Sequence, residues 1–258
     1  MLKDRGIITD IGRASIHDGA GFRTTVFFKG CPLKCVWCHN PECISYEPQV
    51  LFYPEKCIGC NMCEKGCYSG AKVVCGKEMT ADEVMAQIRL DKPYYGQNGG
   101  VTFTGGEAFA QPQFLHTLVD LCKAEGINVA AETSLYIFKE EIIKKLDFIM
   151  ADLKIWDEEK HIKYTGSSNK TIKENFEKLD QLGIPFIVRT PLIPGITDNA
   201  ENISKIRDFI KGFKNIQKYE LLPYNPLGNA KRKAMGEEKI DFEAEQTSLK
   251  ELMKYAEL

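Results

Sequence analysis

Three cysteines, Cys31, Cys35 and Cys38, follow one another with C-x3-C-x2-C spacing in the run Gly30-Cys31-Pro32-Leu33-Lys34-Cys35-Val36-Trp37-Cys38-His39-Asn40. Thiolates are soft ligands, and a four-iron cubane normally takes one on each iron. A tight group of three leaves one iron open to a ligand that is not protein. This is the logic of a catalytic metal site as against a closed structural one. The alternative is a structural zinc site with Cys43 as the fourth ligand. Such sites usually come as two separated C-x2-C pairs, a different pattern from the one here.

A second run, Cys57-Ile58-Gly59-Cys60-Asn61-Met62-Cys63-Glu64-Lys65-Gly66-Cys67, reads C-x2-C-x2-C-x3-C. This is the bacterial ferredoxin spacing, in which consecutive thiolates wrap around one cubane. Tyr68 stands where proline is usual. Residues 40–77 hold six cysteines, too few for two more cubanes. One auxiliary [4Fe–4S] cluster is therefore expected, with Cys67 as fourth ligand and Cys43 or Cys75 as alternatives.

Of ten cysteines, nine lie between Cys31 and Cys75. Residues 1–10 alternate charged and apolar side chains and lack the layout of a signal peptide. No apolar run approaches a bilayer's thickness. The expected compartment is the cytosol, where disulfides rarely persist and cysteines serve metals or redox chemistry. With 34 Lys and Arg against 36 Asp and Glu, the net charge of −2 supplies no electrostatic reason for nucleic acid or an anionic membrane as partner.

The elements that must position these cysteines are strands and helices in alternation. Apolar runs at 22–29, 101–104, 127–131, 148–153, 186–190 and 219–222 read as six strands. Between them, Thr80 with Glu83 forms a capping box opening a helix through Arg89. A second helix runs from Gln113 to Glu125 and stops at Gly126. Thr171 with Glu174 opens another, which ends at Gly183. Asn199–Gly212 and Phe242–Tyr255 also read as helices. Strand–helix repetition implies parallel strands with right-handed crossovers, and six units make an open partial barrel or a wound sheet. Residues 40–77 break the rhythm as an insertion.

Polar residues gather at the strand ends: Thr104-Gly105-Gly106-Glu107, Glu132-Thr133-Ser134, Asp152 with Lys154, Arg189, and Tyr224-Asn225. In parallel barrels the C-terminal rim is where catalytic loops converge. Cys122, Trp156 and the Phe27-Phe28 pair read as packing, and His116 and His161 receive no chemistry. Lys231-Arg232-Lys233 reads as a solvated face.

The pattern C-x3-C-x-aromatic-C, with Trp37 in the aromatic place, resembles the radical S-adenosylmethionine (SAM) superfamily. Within it, His17-Asp18-Gly19-Ala20-Gly21-Phe22-Arg23-Thr24 and residues 30–42 resemble the glycyl-radical-enzyme activating enzymes, and the likeness extends from Asp18 to Glu238. The resemblance implies an α/β partial (β/α)6 barrel with a small cysteine-rich, ferredoxin-like insertion. Residues 1–39 and 79–258 would form the barrel and 40–78 the insert. It implies SAM chelating the open iron of a [4Fe–4S] cluster on Cys31, Cys35 and Cys38. Gly105, Gly106 and Glu107 would receive the SAM ammonium, and Lys154 and Arg189 would face its carboxylate. Glu132, Thr133 and Asp152 match positions that hold a monovalent cation, and Asn225 lies near the nucleoside. Ala108, Glu132 and Leu135 depart from the usual proline, aspartate and glycine. The implied partners are a glycyl radical enzyme and a flavodoxin or ferredoxin reductant. Two rival functions are a radical SAM enzyme acting on a small molecule or peptide, and a non-catalytic electron-transfer or zinc-binding module.

Overall fold

Arg23-Thr24-Thr25-Val26-Phe27-Phe28 has the composition of a strand buried on both faces. In the computed structural model, which describes residues 4–63, 66–237 and 242–248, this strand has neighbours on both sides. Strand β1 (Arg5–Ser15) pairs antiparallel with β2 (Arg23–Phe28). A separate two-stranded hairpin, β3 (Gln49–Phe52) and β4 (Lys72–Cys75), brackets the ferredoxin-like cysteine run. Strand β5 (Lys77–Thr80) then adds to the far edge of β1. None of β1, β3, β4 and β5 is among the six sequence-predicted strands. β1 carries the alternating pattern of residues 1–10, and β3 to β5 are only four residues each.

All six predicted strands are present. After helix α1 (Ala81–Asp91) come β6 (Gly100–Gly105), α2 (Pro112–Ala124) and β7 (Asn128–Thr133). The chain continues through α3 (Glu140–Ile143), β8 (Phe148–Asp152), α4 (Glu158–Thr165), α5 (Lys170–Gln181) and β9 (Phe186–Leu192). Helix α6 (Ala200–Ile210), β10 (Ile216–Pro223) and α7 (Leu227–Ala234) complete it. Strands β2, β6, β7, β8, β9 and β10 are parallel neighbours in chain order, with β1 and β5 covering the β2 edge. Residues following β2 and β10, at opposite ends of this parallel run, line one cleft, so the sheet curls into a partial barrel.

The capping box of α1 forms as expected: Glu83 N–H donates to Thr80 Oγ1 and Thr80 N–H to Glu83 Oε2. The start of α5 differs. It opens at Lys170, one residue before the expected capping box, because Asn169 turns its amide inward to the Ile155 and Trp156 carbonyls. The helix expected over Phe242–Tyr255 is absent from 242–248, and the remainder lies outside the described residues. Thr247 instead exchanges hydrogen bonds with Tyr224 and donates to the Leu192 carbonyl, pinning this segment along β10 and β9. The main core lies between the sheet and its helices, with Phe103, Leu115, Leu118, Ile149, Phe176 and Phe186 fully buried. Each such side chain contributes about 1.5–3 kcal/mol by leaving water. Cys122 is buried in that core as expected, its thiol against Met85.

Candidate active site

The cysteine loop leaves β2 through Gly30, whose φ of +98° favours glycine. Its backbone is stapled from two sides. Gly30 and Cys31 N–H donate to the Cys43 and Ile44 carbonyls, and Lys34 and Val36 N–H to Thr165 and Tyr164 at the end of α4. Leu33 and Trp37 are buried beneath it. So anchored, Cys31, Cys35 and Cys38 all line a cleft of about 290 Å³ at the C-terminal ends of the parallel strands. Burial raises all three thiols, Cys35 to about 12 even with Lys154 nearby. They would lose their protons on binding metal.

The same cleft is lined by Trp37, Gly105, Gly106, Glu132, Thr133, Asp152, Lys154, Arg189 and Asn225. A Cβ on Gly105 would lie 2.3 Å from the Phe28 backbone, and one on Gly106 would lie 2.5 Å from the Gly30 and Cys43 carbonyl oxygens. Both glycines are therefore required by close packing of backbone on backbone. Arg189 Nη1 donates to Glu132 Oε1 at 2.8 Å, and its Nε to Asp152 Oδ1 at 3.1 Å. Lys154 Nζ donates to Asp152 Oδ2 at 2.7 Å, and Thr104 Oγ1 to Glu132 Oε2 at 2.8 Å. Two cations, two carboxylates and the Thr104 hydroxyl thus join four adjacent strands, β6 to β9. Burial alone would raise the Asp152 carboxyl, but Lys154 and Arg189 outweigh it and hold the group below its ordinary range.

Glu107 is the exception among the predicted site residues, since it does not line the cleft. Its fully buried carboxylate accepts from the Thr133 hydroxyl and from both the N–H and hydroxyl of Ser134. Burial pushes it above the usual carboxylate range, against the pull of those donors. It ties the end of β6 to the end of β7.

Cys43 lies outside the cleft lining, behind the loop, and is buried. Among the described residues no three Cys, His, Asp or Glu side chains close on one ion-sized point, as a mononuclear zinc site requires. Cys57, Cys60, Cys63 and Cys67 line a second, smaller cavity of about 50 Å³. Gly59, Asn61 and Gly66, at φ of +66°, +56° and +104°, turn the chain around it. The Ser69 hydroxyl and the Lys72 N–H draw the Cys67 thiol down to about 7. Cys75, like Cys43, lies elsewhere, buried with its thiol toward the Glu42 carbonyl.

Lys231 and Arg232 do not form the solvated face expected of them. Lys231 Nζ donates to Asn40 Oδ1 and Glu42 Oε1, and Arg232 Nη2 to the Cys35 carbonyl. Neither contact had a signal in the sequence beyond the charge itself.

Residues 25–209 match the family model described as the radical SAM superfamily. The chain is 38% identical to the trans-4-hydroxy-L-proline dehydratase activating enzyme of Clostridioides difficile, over 87% of this chain and 86% of that one. It is 35% identical to the pyruvate formate-lyase-activating enzyme of Clostridium pasteurianum, over 86% and 84%. This chain belongs to the glycyl-radical-enzyme activating branch of the radical SAM superfamily. Among solved structures, Streptococcus suis SuiB shares the fold, with a TM-score of 0.60 and 16% identity over 89% of this chain and 43% of that one. A radical SAM activating enzyme uses SAM and a [4Fe–4S] cluster, and the three-thiol cleft has the donor set for both. The non-catalytic alternative falls away with these relatives, which are named as activating enzymes.

Proposed function

We propose that this activating enzyme holds its SAM-binding cluster on Cys31, Cys35 and Cys38, and uses it to install a glycyl radical on a partner enzyme. The observation that carries this is the opening of three thiols and the Lys154–Asp152–Arg189–Glu132 network into one cleft. When bound by these three cysteines, the cluster would supply the single electron for reductive cleavage of SAM to methionine, and the deoxyadenosyl fragment so released would take up a hydrogen atom from a glycine Cα. The chain's own residues bind, orient and exclude water. Lys154 and Arg189 attract the SAM carboxylate, and the Gly105–Gly106 backbone lets the methionyl end approach closely. Trp37, buried against the loop, closes the wall beside the thiols, and Asn225 offers its amide to the nucleoside. Glu107 acts one step back, by orienting Thr133 and Ser134.

The implied monovalent cation does not fit the site as it stands. The four carboxylate oxygens of Glu132 and Asp152 already accept from Arg189, Lys154 and Thr104, and the two cations balance the two negative charges. No step is assigned to it.

The auxiliary [4Fe–4S] cluster is assigned to Cys57, Cys60, Cys63 and Cys67, supported by their shared cavity. It belongs to the inserted segment 40–78, flanked by barrel segments 1–39 and 79–258. A flavodoxin or ferredoxin is the proposed reductant and the cytosol the proposed compartment. No helix among the described residues is long and apolar enough to cross a membrane, and neither membrane nor nucleic acid is a proposed partner.

The test is anaerobic reconstitution, iron and sulfide analysis, then dithionite reduction with SAM. About eight irons per chain, 5′-deoxyadenosine, and a glycyl radical signal on a co-expressed partner are expected. Bound zinc without deoxyadenosine would overturn the assignment.

A further inference from the structure

Helix α7 lies against the cysteine loop. A Cβ on Gly228 would sit 2.2 Å from the Cys38 carbonyl oxygen, so only glycine lets the helix backbone come this close. One turn on, Lys231 grips Asn40 and Glu42, just beyond the third cysteine of the loop, at 2.8 and 2.6 Å. Arg232 Nη2 donates to the Cys35 carbonyl at 3.0 Å, while Nη1 meets the Glu237 carboxylate at 3.0 Å. The Arg232 side chain is 13% exposed, and its Nε is buried with no protein partner. Ala234, at the end of the same helix, packs on Leu51 and Cys75 of the insert.

A guanidinium held this way does two things. It fixes the carbonyl between the first and third cysteines, and so the direction in which the middle thiol leaves the backbone. It also places a permanent positive charge in a poorly solvated position beside the loop. Iron–sulfur potentials respond to nearby charge, hydrogen bonding and exposure. A fixed cation favours the form carrying one more electron.

We propose that Arg232 is a positioning residue of the first cluster, clamping the Cys35 loop and making the cluster easier to reduce. The inference rests on the assignment of that cluster to Cys31, Cys35 and Cys38. Glu237, paired to the same guanidinium, sets the opposite bias.

The experiment is a redox titration of full-length, fully reconstituted protein, followed by the electron paramagnetic resonance of the reduced cluster. Arg232→Gln should keep the iron content but lower the reduced fraction at fixed potential about tenfold, equivalent to about 59 mV for one electron. Arg232→Lys, which keeps the charge and loses the planar fork, should recover most of that shift. Glu237→Gln, at a more exposed position, should move the midpoint in the opposite direction, and remains informative if Arg232→Gln does not hold iron. Lys233→Gln removes an equal charge from the exposed side of α7 and should change nothing. An unchanged midpoint in Arg232→Gln or in Glu237→Gln would overturn the proposal. So would a shift in Lys233→Gln as large as that in Arg232→Gln. If unsubstituted protein lacks the signal of a first cluster, the cluster assignment itself has failed.

Discussion

At the scale of single residues, Arg189 carries the most. It bridges two carboxylates from neighbouring strands and lines the cleft proposed to receive the SAM carboxylate. Arg189→Gln should weaken SAM binding at least tenfold, about 1.4 kcal/mol, in calorimetric titration of cluster-loaded protein, while iron content is retained. Because Arg189 and Lys154 already serve as the counter-charges to Glu132 and Asp152, exchanging potassium for choline should leave SAM affinity unchanged; a potassium requirement would restore the cation to the site. The two cavities make a second residue-level distinction. Cys67→Ser should lose the auxiliary cluster's iron, seen as a fall of about four irons per chain. Cys75→Ser should keep it, since that thiol is buried away from the other three.

At the scale of elements, the end of β6 packs backbone on backbone against the start of the cysteine loop. Gly106→Ala pushes a methyl into two backbone carbonyls that cannot rotate away, so the loop itself must move. The expected result is loss of the first cluster with the auxiliary one retained. Gly126→Ala, in an open left-handed position with no neighbour within 4 Å, should cost about 1–2 kcal/mol and keep both clusters. The junction of α1 with the barrel is held by Asp91, 2% exposed, which accepts from Arg13 Nε and the Thr24 hydroxyl, each at 2.8 Å. Burial would raise this carboxyl, but Arg13 and Thr24 prevail and hold it below its ordinary value. A depressed native pKa contributes stability that is present above the unfolded value, about 3.9, and fades as pH falls through the native one. Asp91→Asn should therefore cost about 2 kcal/mol at pH 7, discounted because Arg13 is half exposed. In urea unfolding of the apo-protein the gap between variant and parent should close as the pH drops below about 4.

At the scale of the whole molecule, the partial barrel gathers the ends of all six parallel strands around one cleft. A ligand there touches elements spread along most of the chain, so its binding energy is shared by the fold. SAM at a hundred times its dissociation constant should raise the unfolding free energy of the cluster-loaded protein by about 2.7 kcal/mol. Thermal unfolding with and without SAM measures this. Protein stripped of iron should show a much smaller effect, because under the proposed assignment the open iron would supply the chelating contact.

Much of this molecule was legible in the sequence because its signals are local. Three thiols within eight residues, four more at ferredoxin spacing, six apolar runs and the Thr80–Glu83 box each need only their near neighbours to be recognised. The strand ends could be read because polar residues follow apolar runs. β3, β4 and β5 were not, since a four-residue strand carries too little periodicity to separate it from a loop. Only the tertiary structure decided what joins distant segments. Arg232 meets Cys35 across 197 residues of chain, and nothing in a run of basic residues says which carbonyl it will find. Glu107 is held at its buried position because Thr133 and Ser134, brought alongside by β7, offer its carboxylate three donors. Arg189 finds Glu132 and Asp152 only because parallel strands set β7, β8 and β9 side by side. Composition and spacing determine which chemistry is available, whereas closure of the sheet decides which groups share a low-dielectric cleft and so which charges must pair.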